Sequence, residues 1–373
     1  MSSEALIFVI VQLLAAAQGI LVGAYLILVS KRNKPTFPLG IFLFLFSLEI
    51  VPSILKNLNV WQELPLLHWL PLRNIWLLSP LFFLYTQRVS IFKRSNRVYW
   101  MFLPGLLVLV LKPLALFVPE QWLGLDNFNR DVSQISFILG HGYCFFIGFL
   151  NIRYIDAHIA EVNEVFSSVY RKELKWARTF VVFGLLLCAL SLGILLSGTG
   201  YQWTHLPFVV ILLLTVYWLS FYGTKQYSVQ RVLTNPTEYG LVLRPRSKAL
   251  KPQKEPKEMG VMMVKLQDYF HAEKPYTDPE LNIVEVAVAL GEHPKKLSKA
   301  INVFTGKNFN RFVNTYRVNK AKELLVDPSK ANITMEGVGS EVGFQSKSAF
   351  YSAFKSVTGT TPLAFQKRPE TAT

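Results

Sequence analysis

The amino-acid sequence predicts an all-α protein with a polytopic transmembrane bundle of about seven helices and a C-terminal domain of two helix-turn-helix units. The composition supports this division, because 51% of the 373 residues are hydrophobic while the formal net charge is +15. A single homogeneous domain rarely combines both properties, since strong positive charge suits an anionic partner such as nucleic acid or a lipid surface. The long apolar runs lie within residues 5–222, and no later stretch approaches the ~20 apolar residues that cross a bilayer.

The predicted bundle is built from apolar segments close to the length of a spanning helix. These segments lie at residues 5–30, 36–55, 66–87, 99–118, 133–153, 178–198 and 206–224. The N-terminal domain is therefore expected to comprise residues 1–224 and to act as the sensor.

The charges of the loops predict the orientation of the bundle. Lys and Arg cluster in the first, third and fifth loops, whereas Lys56 and Arg130 are the only Lys or Arg residues in the second, fourth and sixth. The positive-inside rule places the N-terminus outside and the residues beyond 224 in the cytoplasm. The fifth loop, residues 154–178, has an amphipathic pattern that predicts a helical extension of both flanking spans.

Ionisable residues interrupt the predicted spans and form a candidate sensor cluster. They are Glu49, Arg73, Lys112 and His141. Each lies roughly 9–12 Å from the outer end of its span at a rise of about 1.5 Å per residue. Charged groups at such a depth normally face the bundle interior, pair or line a site. The cluster could bind an anionic or polar ligand from outside; alternatively, Glu49 and Arg73 only lock two helices together while Lys112 reaches toward the interface.

The cysteine content excludes two kinds of site. The only cysteines, Cys144 and Cys188, both lie inside apolar runs. This pattern excludes a disulfide framework and a cysteine-based zinc site, and it predicts small buried hydrophobic residues. No metal and no other cofactor is predicted.

Residues 225–258 predict a basic cytoplasmic linker, because lysine and arginine residues are interspersed with prolines. Such a segment has no core of its own. It acts either as a tether along an anionic leaflet or as a solvated connector whose charges mainly fix the topology.

Residues 259–373 have the pattern of a soluble helical domain, and its first unit begins with a capping box. Asn282 and Glu285 are spaced for mutual capping of a helix that ends at Gly291. Pro294 then starts a second helix, which ends at Gly306. The predicted buried row of this second helix consists of Leu297, Ile301 and Phe304.

The same plan recurs further along the chain. A short helix is predicted from residue 333 through 338, a turn at 342–344, and a helix at 347–355 capped by Ser346. Phe350 and Phe354 are spaced to lie on one buried face. A helix over residues 309–326 joins the two units. Its length of roughly 27 Å is commensurate with the ~34 Å repeat of a DNA groove, with a predicted buried row at Phe312, Tyr316, Ala321, Leu324 and Leu325.

Residues 274–368 resemble the DNA-binding domain of the AraC/XylS family of bacterial regulators. The resemblance rests on the stretches 281–291, 317–325 and 333–362. It implies that the second helix of each unit enters the major groove. Carried over by position, the candidate base-reading residues are Lys295, Ser298, Lys299, Asn302, Lys347, Ser348, Tyr351 and Ser352. Lys296 and Lys355 are placed to contact phosphates.

With the predicted spans, the resemblance implies a membrane-embedded subgroup of that family in a bacterial inner membrane. Such a protein would bind promoter or operator DNA and the lipid bilayer, and it would couple a membrane or extracytoplasmic signal to transcription. The signal would be a small molecule or a membrane signal. A homodimer and a contact with RNA polymerase are further candidate interactions.

Other classes of protein are disfavoured by the motifs. The sequence has no glycine-rich phosphate loop, no HExxH and no nucleophile elbow, so no catalytic residue and no enzymatic activity are predicted. The alternative is a polytopic transporter or receptor with an accessory helical domain. A transporter would be expected to show internal repeats or paired broken helices, and the sequence shows no convincing repeat.

Overall fold

The structure is a computed structural model, and it describes residues 3–30, 34–58, 60, 75–92, 95–114, 128–197, 205–226, 256–330 and 332–367. These residues form helices, turns and one isolated β-bridge, without a named strand. The chain divides into two compact units. One contains Met1–Asp156 and Leu174–Thr234, and the other contains Ala157–Glu173 and Asn235–Thr373.

The α-helices of the first unit are numbered in chain order. They are α1 (Ser3–Val29), α2 (Thr36–Leu48), α3 (Val51–Asn57), α4 (Ile75–Val89), α5 (Leu103–Leu114), α6 (Phe128–Val165), α7 (Lys175–Ser197) and α8 (His205–Lys225), with a 3-10 helix at Asn96–Phe102 before α5. The last residues of α6, from Ala157, belong to the second unit.

Among the residues that the structure describes, four stretches of helix are long and apolar enough to cross a membrane. They are Leu6–Val29, Thr36–Asn57, Ile135–Val165 and Lys175–Leu196, which match the first, second, fifth and sixth predicted spans. Helices α4, α5 and α8 overlap the other three predicted spans, but they are not among these four. The number of seven spans therefore stays a prediction.

Polar side chains inside the first unit bond one another. Gln12 of α1 is buried, donates to Ser53 Oγ at 2.7 Å and accepts from Asn57 Nδ2 at 3.1 Å. Hydrogen bonds of this kind join helices in an apolar environment because an unpaired polar group there is costly.

The α-helices of the second unit follow in the same numbering. They are α9 (Pro256–Ala272), α10 (Ile283–Ala289), α11 (Pro294–Thr305), α12 (Phe309–Val326), α13 (Met335–Glu341), α14 (Lys347–Thr358) and α15 (Pro362–Gln366). Residues 227–255, most of the predicted linker, lie outside the described residues. Helix α9 begins at Pro256, inside the predicted linker, and packs Phe270 against Phe312 of α12 with ring centroids 5.3 Å apart.

The caps of the first helix-turn-helix unit are as predicted. Asn282 Oδ1 accepts from the backbone N–H groups of residues 284 and 285, and the Glu285 carboxylate accepts from the backbone N–H of Asn282. At the start of α11, His293 Nδ1 accepts from the backbone N–H of residue 295 at 3.2 Å. Residues 291 and 306 end their helices with positive φ angles of 68° and 65°.

One member of the buried row predicted for α11 is wrong. Leu297 and Ile301 are fully buried, whereas Phe304 is 51% exposed. The tip of its ring lies beside Gly260 of α9, with Cζ 3.7 Å from the position of a Cβ at that glycine. Helical periodicity continues the buried row to Phe304, but the last turn of α11 leaves this side chain largely in solvent.

The second helix-turn-helix unit differs from the prediction at several helix ends, and α14 continues to Thr358 rather than ending at residue 355. Helix α13 begins after Thr334, which caps it, and continues to Glu341 rather than ending at residue 338. The short helix α15 follows the cap Thr361 and was not predicted. Helices α12 and α14 begin where the sequence indicated, after Asn308 and Ser346. In the predicted row of α12, all members except the half-buried Tyr316 are buried.

The predicted helical extension of the fifth loop is confirmed at both ends but not in the middle. Helix α6 continues to Val165 and α7 already begins at Lys175, whereas the residues between them are not α-helical. Phe166 instead forms an isolated antiparallel bridge with Asn282. The backbone hydrogen-bonding groups at this bridge would bond within the helix if α6 continued past Val165.

Candidate nucleic-acid interface

Helix α11 is amphipathic, and its polar face carries the first set of predicted DNA contacts. Leu297, Ala300 and Ile301 are fully buried on one side. The predicted residues on the other side are Lys295, Lys296, Lys299 and Asn302, which are exposed, and Ser298, which is half-buried. A solvated face of donors and positive charges opposite a core contact is the arrangement that a groove-reading helix requires.

Helix α14 repeats this arrangement in the second helix-turn-helix unit. Phe350 and Phe354 are fully buried and belong to a core cluster with Leu324 and Leu325 of α12. The predicted contact residues Lys347, Ser348, Ser352 and Lys355 are exposed, and Tyr351 is half-buried. The aromatic pair therefore holds the polar face of α14 outward from α12.

Two of the predicted contact residues of α14 have polar partners within the second helix-turn-helix unit. The Lys347 ammonium lies 3.3 Å from the Glu336 carboxylate in an exposed pair, and Ser348 Oγ lies 3.2 Å from Ser346 Oγ. An exposed ion pair contributes little free energy. The pair with Glu336 is therefore a weak competitor for a phosphate or a base.

Arg317 is a key residue that the sequence reasoning did not single out. Its side chain is fully buried in α12, where Nε donates to Tyr276 O and Nη2 donates to Asp278 O, both at 2.7 Å. Burial lowers the pKa of Arg317 to about 10, so the guanidinium remains charged at neutral pH. A signal was present, because position 317 lies four residues after Val313 and four before Ala321 in an apolar row. A basic residue in such a row indicates a buried polar network.

The candidate sensor cluster is described only in part. Glu49 follows the last residue of α2, and Lys112 lies in α5, whereas Arg73 lies outside the described residues. His141 in α6 is buried, and its Nδ1 donates to the carbonyl oxygen of Phe137 at 2.7 Å. The proximity of the four residues stays a prediction.

The cysteines are free thiols on neighbouring helices. Cys188 Sγ lies 3.7 Å from Cys144 Sγ, which also accepts a hydrogen bond from Ser79 at 2.9 Å. Within the described ranges, no cluster of three or more His, Cys, Asp or Glu side chains is arranged to hold a metal ion.

The comparison with known families concerns the C-terminal part of the chain. Residues 286–368 match the family model described as a helix-turn-helix domain. The match supports a DNA-binding domain of the AraC/XylS type. It runs from the interior of α10 to just beyond α15, and so it includes both candidate reading helices and α12. This part of the chain is that of a DNA-binding transcription regulator. No curated protein and no solved structure matches the chain.

Proposed function

We propose that the protein is a membrane-bound, sequence-specific transcription regulator that couples a membrane or extracytoplasmic signal to the binding of promoter DNA. The observation that carries the proposal is the presence, in one chain, of four membrane-length helices and a tandem helix-turn-helix domain with two outward polar faces. Each face lies opposite a buried core contact, and its exposed lysines are directed to the solvent side from which a duplex would approach.

Readout by α11 and phosphate contact by α14 predict different effects for two lysines. Lys299→Ala is expected to weaken operator binding by about 1–3 kcal/mol and to relax the preference at one base pair, if the ammonium contacts guanine. Lys355→Ala is expected to weaken binding to all sequences alike and to reduce the salt slope by about one unit. Both are measured by fluorescence anisotropy on the full chain in lipid nanodiscs, with fragments selected from genomic DNA by the wild-type protein.

A matched control separates these contacts from a change in net charge. Lys265 is exposed on α9, which is neither of the two reading helices. Lys265→Ala therefore removes one positive charge from the same compact unit without changing α11 or α14. Equal affinities and equal salt slopes for all three variants would show that the lysines of α11 and α14 form only a solvated face.

The membrane part of the proposal is supported by apolar side chains that the candidate spans leave uncovered. Leu28 is 84% exposed on α1, and Leu196 is 80% exposed on α7. Further uncovered apolar residues on the same two helices are Leu14, Leu21, Leu186 and Leu190. Extended apolar surfaces are unfavourable in water, and a helix that satisfies its own backbone hydrogen bonds is suited to hydrocarbon.

The proposed topology predicts the location of reporter fusions along the chain. Fusions after Lys34, Arg97, Arg171 and Lys257 are expected to report the cytoplasm, because basic loops stay inside. Fusions near Lys56, Asp126 and Gly200 are expected to report the outside. Paired alkaline phosphatase and fluorescent protein fusions give opposite signals at each site. An outside signal after residue 257 would separate the helix-turn-helix domain from DNA and refute the proposal.

A further inference from the structure

The segment of residues 157–173 is an integral part of the second unit. It consists of the last residues of α6 and the non-helical stretch before α7. Phe166 is fully buried and Ser167 is 1% exposed. The segment is therefore packed against the DNA-binding domain, although more than a hundred residues separate the two in sequence.

Backbone and side-chain hydrogen bonds fix the position of this segment. The Ser167 backbone N–H donates to Leu281 O at 3.0 Å. The Ser167 carbonyl oxygen accepts from Asn310 Nδ2 at 2.7 Å and from Arg317 Nη1 at 3.3 Å, both on α12. The Lys172 ammonium, itself buried, pairs with the Glu280 carboxylate at 2.9 Å. These contacts hold the segment at the junction of α10 and α12.

The docked segment places a carboxylate on the reading face of α11. Glu164 Oε2 accepts from Ser298 Oγ at 2.7 Å and from Asn302 Nδ2 at 3.0 Å. Ser298 and Asn302 are two of the predicted base readers, and hydroxyl and amide donors on a reading helix bond base edges through these same groups. Glu164 therefore occupies groups that a base would use.

The charge of Glu164 strengthens this competition. A carboxylate at the surface of α11 repels the phosphates of an approaching duplex, whereas the neighbouring lysines attract them. A hydrogen bond to a charged acceptor is also stronger than one between neutral groups. The first reading helix cannot bond Glu164 and a base edge through the same donors at the same time.

We propose that residues 157–173 are an internal competitor of DNA, in which Glu164 masks the first reading helix until the segment is displaced. The proposal rests on the proposed function and adds a mode of regulation to it. The segment is covalently continuous with α6 and α7, each of which contains a candidate span. A signal that changes these helices can therefore act on the segment through the chain itself. Because DNA and the docked segment compete for α11, the binding of either one weakens the binding of the other.

The test is the DNA affinity of the full chain in lipid nanodiscs after removal of the Glu164 charge. Glu164→Gln and Glu164→Ala are expected to bind the selected operator fragment about tenfold more tightly than the wild type, because two charge-assisted hydrogen bonds no longer have to be broken. Glu164→Ala is included because glutamine can still accept a hydrogen bond. The gain should persist at raised salt, since short-range contacts are screened less than diffuse charge effects.

A second glutamate serves as the matched control. Glu273 is exposed at the end of α9 in the same unit, and Glu273→Gln removes the same charge without touching α11. Wild-type affinity for both Glu164 variants, or a gain equal to that of Glu273→Gln, would overturn the inference and leave DNA binding intact. If neither the wild type nor any variant retains DNA, the proposed function fails and the inference fails with it.

Discussion

Arg317→Ala is expected to destabilise the DNA-binding unit by about 3–5 kcal/mol. The guanidinium is fully buried and bonds the carbonyl oxygens of Tyr276, Asp278 and Ser167, with a further bond to Ser167 Oγ. Alanine would remove all of these hydrogen bonds and would open a cavity. Arg317→Lys should recover only part of the loss, because an ammonium cannot reproduce the planar fork of donors.

The free energy of unfolding can be measured on the purified full chain in detergent by pulse proteolysis across a urea series, with a C-terminal epitope reporting the second unit. Arg311→Ala is the matched control, because Arg311 is exposed on the same helix and its loss should cost less than about 0.5 kcal/mol. Equal midpoints for the variants at 317 and 311 would show that the buried network contributes nothing to stability.

Gly343→Ala is expected to cost about 3 kcal/mol or more, as the sum of backbone strain and overpacking. Gly343 lies in the turn between α13 and α14 with a φ of 95°. A Cβ there would lie 2.5 Å from the carbonyl oxygen of Tyr276, the same oxygen that accepts from Arg317 Nε. The turn between α13 and α14 and the arginine of α12 thus meet at the carbonyl oxygen of Tyr276.

Gly359→Ala separates the cost of backbone strain from the cost of overpacking. Gly359 ends α14 with a φ of 76°, and among the described residues no atom beyond its chain neighbours lies within 4 Å of its Cβ position. Its substitution should therefore cost only the strain of a left-handed residue, about 1 kcal/mol. The same urea series compares the two glycines. A loss at 343 no larger than the loss at 359 would contradict the close approach to Tyr276.

The capped N-terminal ends of α10, α12 and α14 were predictable because they depend on local chemistry. The cap of α10 by Asn282 and Glu285, and the cap of α14 by Ser346, use side chains within three residues of the groups they bond. The polar faces of α11 and α14 follow from helical periodicity in the same way. Phe304 shows the limit of this reasoning, because periodicity places it in the row of Leu297 and Ile301 although it is 51% exposed.

The docking of residues 157–173 was not predictable from the sequence. Its contacts join Glu164 to Ser298 and Ser167 to Arg317, across separations of 134 and 150 residues. No periodicity or motif reports a partner at such a distance. The amphipathic pattern of this loop predicted only a helical extension of the flanking spans, and the fold alone shows that its backbone bonds Leu281 and α12.

Chromatin immunoprecipitation of the full chain, tagged at its C-terminus and recovered from the membrane fraction of crosslinked cells, tests the central proposal most directly. The proposal predicts discrete DNA regions enriched above an untagged strain, with enrichment reduced by Lys299→Ala and retained by Lys265→Ala. Absence of enriched regions from the membrane fraction, or their recovery only from the soluble fraction, would contradict a membrane-bound regulator of transcription.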